Sequence, residues 1–453
     1  MSERTKKSLR NQDMTTGSIM KKMLLFALPV VLGNIFSQLY GVVDTAVVGR
    51  YVGKTALAAV GSSSSVMMVF HTVMIGMNTG AGVVVSQYFG SKNYKELSKT
   101  VTSLLIVATG ITLAMTVLGM VLANPLLRLL ATPEELIPQG SLYLRICFLG
   151  TLGQFYYFVG TFILNGMGDS KLPMYMVILS SAINIVLDLL FVVAFHWDVA
   201  GVALATVIAQ ATSAVVVLIK IFRYDQLDFS RENWKIDKQK IKSIFAIGIP
   251  TSLQTLATSV GAMVIQRFSN SFGTDFIAAM TVVNKVDMFA MMPLNSLGSA
   301  LTTFVGQNVG AGLHDRVKEG VRKITITIVA TGVIIGIIMA IVGGTILKLF
   351  VTEASVIAMG VVCIRIAATS YWGQALQQSY SGLLRGAGVA TVPAIIMIAA
   401  LALRIPATYL LAIVRDDYRG IFFALAGANI IGGIAMVVYY LSGHWKNKNV
   451  IKL

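Results

Sequence analysis

The sequence predicts an all-α polytopic membrane protein, with twelve transmembrane helices in two parallel six-helix repeats (lobes) around a central cavity. Three observations carry that expectation. Hydrophobic residues make up 56% of the 453 positions and charged residues only 12%, against roughly 25% in soluble domains. The charges are segregated: 22 of the 56 lie in residues 1–22, 220–242 and 443–453, which leaves long stretches almost free of them. The chain also repeats itself at a shift of 220 residues. A helix crosses a bilayer with about 20 apolar residues, and this length holds twelve such spans. An ordinary soluble enzyme is excluded.

Apolar runs bounded by polar or Gly/Pro punctuation mark the spans in order. Span one, 24–48, follows a basic tail (1–22) and is too long for a signal-peptide core. It places Gly33, Ser37, Tyr40 and Asp44 on one helical face. Spans two and three are the runs 56–87 and 99–124. Span four, 138–165, carries Gln154, Tyr157, Thr161 and Asn165. Span five, 171–195, aligns Ser181, Asn184 and Asp188, and span six, 199–222, offers Thr206 and Gln210. The one long polar connection, 223–242, divides a first lobe (1–222) from a second (243–453). Spans seven to nine are 243–268, 276–308 and 320–350, with Lys285 and Asp287 on span eight. Span ten, 355–385, bears a Gln374, Gln377, Ser381 stripe, span eleven, 391–414, bears Arg404, and span twelve is 419–442. No alternating pattern of barrel type occurs.

The repeat matches Gly53 with Gly273, Gln87 with Gln307, Arg145 with Arg365, Gly168 with Gly388 and Pro173 with Pro393. Six spans per repeat give both halves one orientation, an arrangement of secondary transporters. With the N-terminus inside, 25 of the 36 Lys and Arg fall on the inner face, 7 on the outer and 4 within spans. The positive-inside rule therefore predicts a multi-pass protein of the cell membrane with both termini cytoplasmic and 223–242 as a cytoplasmic linker.

Other functions are excluded residue by residue. The basic residues form no stripe interleaved with aromatics, so no nucleic-acid partner is expected. Cys147 and Cys363 sit singly in apolar runs, and His71, His196, His314 and His444 form no ligand motif. Gly49 to Thr55 resembles a phosphate loop but is one residue short and follows an apolar span. Transport must then draw on an ion gradient or on the cargo's own gradient.

Of 20 acidic residues, only Asp44, Asp188 and Asp287 lie within spans, where ionisable groups are costly and mark function. Asp44, Asp188 and Thr206 fall at similar depth. The second half repeats neither acid, since Asp44 falls on Val264 and Asp188 on Thr408. It offers instead a charged network of Lys285, Asp287 and Arg404; Lys285 and Asp287, two apart, cannot face each other on a helix.

The chain resembles the MATE (multidrug and toxic compound extrusion) family over roughly 20–442. The resemblance rests on Ala27-Leu28-Pro29 through Asp44, Asn165 to Pro173, Asn184 to Asp188, Gly306 to Ala311 and Leu384 to Gly388. Within the family it is similar to the DinF-like branch, whose span-one Asp joins Asn and Asp on span five and Thr on span six, here Asp44, Asn184, Asp188 and Thr206. The resemblance implies an antiporter that exports amphipathic, often cationic compounds in exchange for H⁺ or Na⁺, by alternating access between the lobes. Asp44 is the expected coupling residue. The same oxygens suit Na⁺, and no other metal or cofactor is expected. Ser37, Tyr40, Gln154, Thr161 and Gln210 are candidates for cargo contact. The expected partners are small-molecule cargo and membrane lipid, and a monomer is expected. A lipid-linked oligosaccharide flippase of related architecture is the alternative, favoured by the cations Lys285, Arg365 and Arg404.

Overall fold

A computed structural model describes residues 13–130 and 132–447. The outer parts of the two basic tails, 1–12 and 448–453, lie outside the described residues, as does Ala131. Thirteen α-helices follow one another among the described residues, and no strand occurs there. They are α1 (Ile19–Val47), α2 (Lys54–Gly90), α3 (Tyr94–Leu129), α4 (Ile137–Gly166), α5 (Lys171–Asp188), α6 (Asp198–Phe222) and α7 (Lys238–Asn270). The rest are α8 (Thr274–Gly310), α9 (His314–Leu347), α10 (Ala354–Ala368), α11 (Tyr371–Gly386), α12 (Thr391–Thr408) and α13 (Arg419–Leu441).

Among the described residues, eleven spans are long and apolar enough to cross a bilayer alone, and the pair α10 and α11, bent by 48°, makes a twelfth when taken as one span. Span ten is therefore broken where the apolar pattern predicts one run. The break falls at Thr369 and Ser370, whose hydroxyls donate to Ile366 O (2.7 Å) and Ala367 O (2.8 Å). Such local bonds compete with the helical ladder and bend it. Large apolar side chains such as Val121 (69% exposed) and Ile341 (74%) point outward. A soluble monomer rarely carries so much exposed apolar surface; a bilayer solvates it.

The helices form two compact units. The first holds residues 28–249 and the second 14–27 together with the chain from Pro250 onward, so the division falls inside α1 and α7. In the first unit α4 is the central helix, packed on α2, α3 and α6. Gly150, Gly153 and Gly160 let its backbone close on Val207, Ala211 and Val217 of α6, the small-residue packing that replaces hydrophobic drive in lipid. In the second unit α11 takes the matching place among α8, α9 and α13.

The repeat extends to backbone detail. Helices α2 and α8 both run 37 residues, and α5 and α12 both run 18 and end in a π-turn, at Leu189–Ala194 and Tyr409–Ile413. Gly53 and Gly273, before α2 and α8, hold φ of 112° and 85°, which glycine adopts without a Cβ clash.

The 223–242 connection is strapped along α3. Thr102 and Ser103 hydroxyls donate to Asn233 O (2.5 Å) and Lys235 O (2.8 Å), and Ser98 and Ser103 accept from the amides of Asp228 and Asp237. Lys240, 7% exposed, bridges Glu96 at 2.6 Å and Asp237 at 3.1 Å. Partial burial alone would raise the Asp237 carboxyl, but the bonds from Lys240 and from the Lys240 and Gln239 amides together hold it below the usual carboxylate range.

Candidate functional site

The first unit gathers its polar residues by helical spacing. Tyr40 and Asp44 stand one turn apart on α1, and Asn184 and Asp188 one turn apart on α5. Asp188 is the last residue before the π-turn of that span, a feature common at functional sites because it re-aims side chains within a helix. Thr206 of α6 joins them: its Oγ1 accepts from Asn184 Nδ2 at 3.3 Å and lies 3.4 Å from Tyr40 Oη. Asn184 and Asp188 are fully buried, Asp44 half-buried.

The two carboxyl groups lie within hydrogen-bonding reach of each other. Yet Asp44 Oδ1 and both Asp188 oxygens, all buried, have no donor among the described residues. An ionised carboxylate only accepts, so two of them cannot bond until a proton or a cation sits between them. Burying both charges without that bridge costs several kcal/mol per ion. Helix α4 closes the wall with Tyr143 and Cys147, one helical turn apart and within electrostatic reach of Asp44. Val47, Val48, Phe148, Val192, Val202 and Ala203 pack beyond them as a dry cluster. No group of three or more His, Cys, Asp and Glu that could hold a metal occurs among the described residues. A cation here would rely on two carboxylates and neutral oxygens, a hard set that suits H⁺ or Na⁺.

The remaining expected contacts are dispersed. Gln154 bonds His71 of α2 through Nε2 atoms 2.8 Å apart. The sequence offered no signal for that histidine, since its partner is two helices away. Ser37 is exposed, and Thr161 and Gln210 are half-buried; none of the three has a hydrogen bond to the acid pair among the described residues. Tyr143 and Cys147 also escaped the sequence reading, because a lone Tyr and Cys in an apolar run carry no spacing signal.

In the second unit, Tyr371 Oη donates to Asp287 Oδ1 at 2.7 Å. The Arg404 charge acts on Asp287 without a direct ion pair, and its buried Nε has no partner among the described residues. Lys285 is exposed, has no ion pair among the described residues, and by its place two residues from Asp287 lies on another side of α8. The group is Asp287, Tyr371 and Arg404.

The MatE family model matches residues 29–190 and again 250–410, one stretch in each repeat. A probable multidrug resistance protein of Bacillus subtilis, YpnP, is 28% identical over 97% of this chain and 98% of its own. A second from that organism, YoeA, is 29% identical over 100% and 99%. The multidrug export protein MepA of Staphylococcus haemolyticus is 24% identical over 93% and 94%. Among solved structures, a MOP superfamily transporter from Pyrococcus furiosus superposes with a TM-score of 0.89 at 20% identity, covering 97% of this chain and 99% of that one. The Vibrio cholerae MATE transporter VcmN, as a mutant, gives 0.88 at 20% identity over 99% of each. These two show the shared fold. With its model matched in both repeats, the chain belongs to the MatE family of membrane transporters.

Proposed function

We propose that the protein is a secondary active multidrug exporter in the cell membrane, expelling amphipathic, often cationic compounds in exchange for H⁺ or Na⁺. The observation that carries this is the Asp44 and Asp188 pair, a half-buried and a buried carboxyl group in reach of each other, whose buried oxygens Asp44 Oδ1, Asp188 Oδ1 and Asp188 Oδ2 have no protein donor among the described residues. Such a pair holds one small cation well. A bound ion and a cationic cargo compete for the same negative charge, and mutually exclusive occupancy is what makes exchange obligatory. Asn184, Thr206 and Tyr40 are linked to one another by hydrogen bonds, with Tyr40 one helical turn from Asp44 and Asn184 one turn from Asp188. Tyr40 also extends the face toward Ser37, and with Gln154, Thr161 and Gln210 it is assigned to cargo contact.

The Lys and Arg distribution supports cytoplasmic termini, and the parallel repeats support alternating access between the lobes. The proposal needs no cofactor and takes the protein as a monomer. The multidrug relatives and the MatE match favour export of small molecules over the oligosaccharide flippase. The test is transport by purified protein in liposomes, with proton and sodium gradients imposed separately. Cargo accumulation under one of them supports the reading; accumulation under neither, with an amphipathic cation as cargo, overturns it.

A further inference from the structure

Away from the acid pair, the second unit has a cavity of about 430 Å³ among α9, α11 and α13. Its polar lining is Lys318, Arg322, Tyr380, Tyr440 and Thr325, whose hydroxyl is already bonded to Ser379, and its apolar lining is Val321 and Ile326. Arg322 is exposed and has no carboxylate partner among the described residues, whereas its neighbour Lys323 is paired with Glu319 at 2.6 Å and Lys318 with Asp315 at 2.8 Å. The Tyr380 and Tyr440 rings lie 5.0 Å apart, and Trp445 stacks on Tyr440 at 5.6 Å. Neither tyrosine hydroxyl is hydrogen-bonded among the described residues. The cavity therefore presents a free guanidinium, an ammonium and two phenol donors, with no carboxylate in its lining.

The helix continues this chemistry into the bilayer. From Arg322, steps of three or four residues lead through Ile326, Ala330, Ile334, Ile337 and Ile341, one face of a helix. All five are exposed. A polar, cationic cavity thus opens at the end of an apolar stripe, which is the shape of a lipid headgroup with its chain. A guanidinium binds phosphate through paired donors, and basic pockets between transmembrane helices hold anionic headgroups. Soluble phosphate would fill the cavity but leave the stripe unused.

We propose that this groove is a binding site for one anionic phospholipid, with its phosphate on Arg322, Lys318, Tyr380 and Tyr440 and an acyl chain along Ile326 to Ile341. The test is native mass spectrometry of the delipidated full-length protein with phosphatidylglycerol or phosphatidylcholine added. Wild type should retain phosphatidylglycerol in preference to phosphatidylcholine, and Arg322→Gln should cut that retention by roughly fivefold, with a similar further loss for Lys318→Gln. Lys323→Gln, which removes the same charge one residue from the groove, should leave it unchanged. Ile326→Gln should weaken retention without any change of charge. Equal retention of the two lipids, equal loss in Lys323→Gln, or displacement of the lipid by millimolar inorganic phosphate would each overturn the proposal. The exposed positions chosen leave folding intact, which a single monodisperse species in the same spectra verifies.

Discussion

Asp44→Asn tests the coupling site most directly. Asparagine has nearly the same shape but cannot ionise, and its amide donates permanently where the shared proton would sit. Facing Asp188, whose two oxygens lack donors, that amide imitates the ion-loaded state and holds it. The magnitude follows from the pair. Two carboxylates bridged by one cation exchange one ion per cycle, and one pH unit across the membrane is worth about 1.4 kcal/mol. A monovalent cationic cargo exchanged for one proton is then accumulated at most about tenfold per pH unit, because 1.4 kcal/mol is a factor of ten in any equilibrium. In Asp44→Asn the accumulation should fall to equality across the membrane, while downhill equilibration persists if cargo still binds. The assay is cargo uptake by inverted proteoliposomes, read as the plateau ratio against the imposed proton gradient, and in parallel against sodium. A variant that still concentrates cargo in proportion to either gradient would refute the assignment of Asp44.

Three further outcomes are expected. Asp188→Asn should shift the pH or sodium dependence of the initial transport rate, because the titrations of neighbouring carboxylates are coupled, whereas Asp287→Asn, which leaves Arg404 without its counter-charge and Tyr371 with only a neutral acceptor, should alter expression or cargo choice but leave the ion dependence in place. Gly80→Ala should lower the thermal midpoint in detergent, since an added Cβ would meet Ile244 O at 2.1 Å and such overpacking costs about 1–3 kcal/mol; Gly61→Ala, with nothing within 4 Å, is the matched control. The Asp237 carboxyl is held low in the folded protein, so its contribution to holding the 223–242 strap is fully present above about pH 4 and is lost as pH falls through the folded value; hydrogen exchange of the strap amides should rise on acidification in wild type and be already raised, with less pH response, in Asp237→Ala.

The spans were legible because a bilayer imposes a strict length and polarity on each helix, and twelve apolar runs leave few other folds. The break in span ten was not legible, because Thr369 and Ser370, where it falls, are residue types also tolerated in straight helices. In the candidate site the acids stood out because charge is rare in spans, and helical arithmetic set Asp188 beside Asn184. Which helices face one another is a tertiary fact, so His71 beside Gln154 and Tyr371 beside Asp287 were invisible. Rarity flagged Lys285 as well, which is exposed on α8 and has no ion pair among the described residues.

The repeat separates what the backbone requires from what transport requires. Positions tied to conformation recur between the halves: Gly53 and Gly273, and Gly168 and Gly388, all at positive φ, and the π-turns that end α5 and α12. Positions tied to chemistry diverge on that common frame. The shift of 220 sets Asn184 on Arg404 and Asp188 on Thr408. Both members of the second pairing are fully buried just before a π-turn, and each has a side-chain oxygen without a partner. One half thus presents an amide and a carboxylate at this place and the other a guanidinium and a hydroxyl. Two identical acid sites would let each half bind an ion independently and run uncoupled cycles. In the proposed exchange, a single acid pair set on one half of a duplicated frame would tie one ion to each turnover, and the divergence at these two positions accords with that reading.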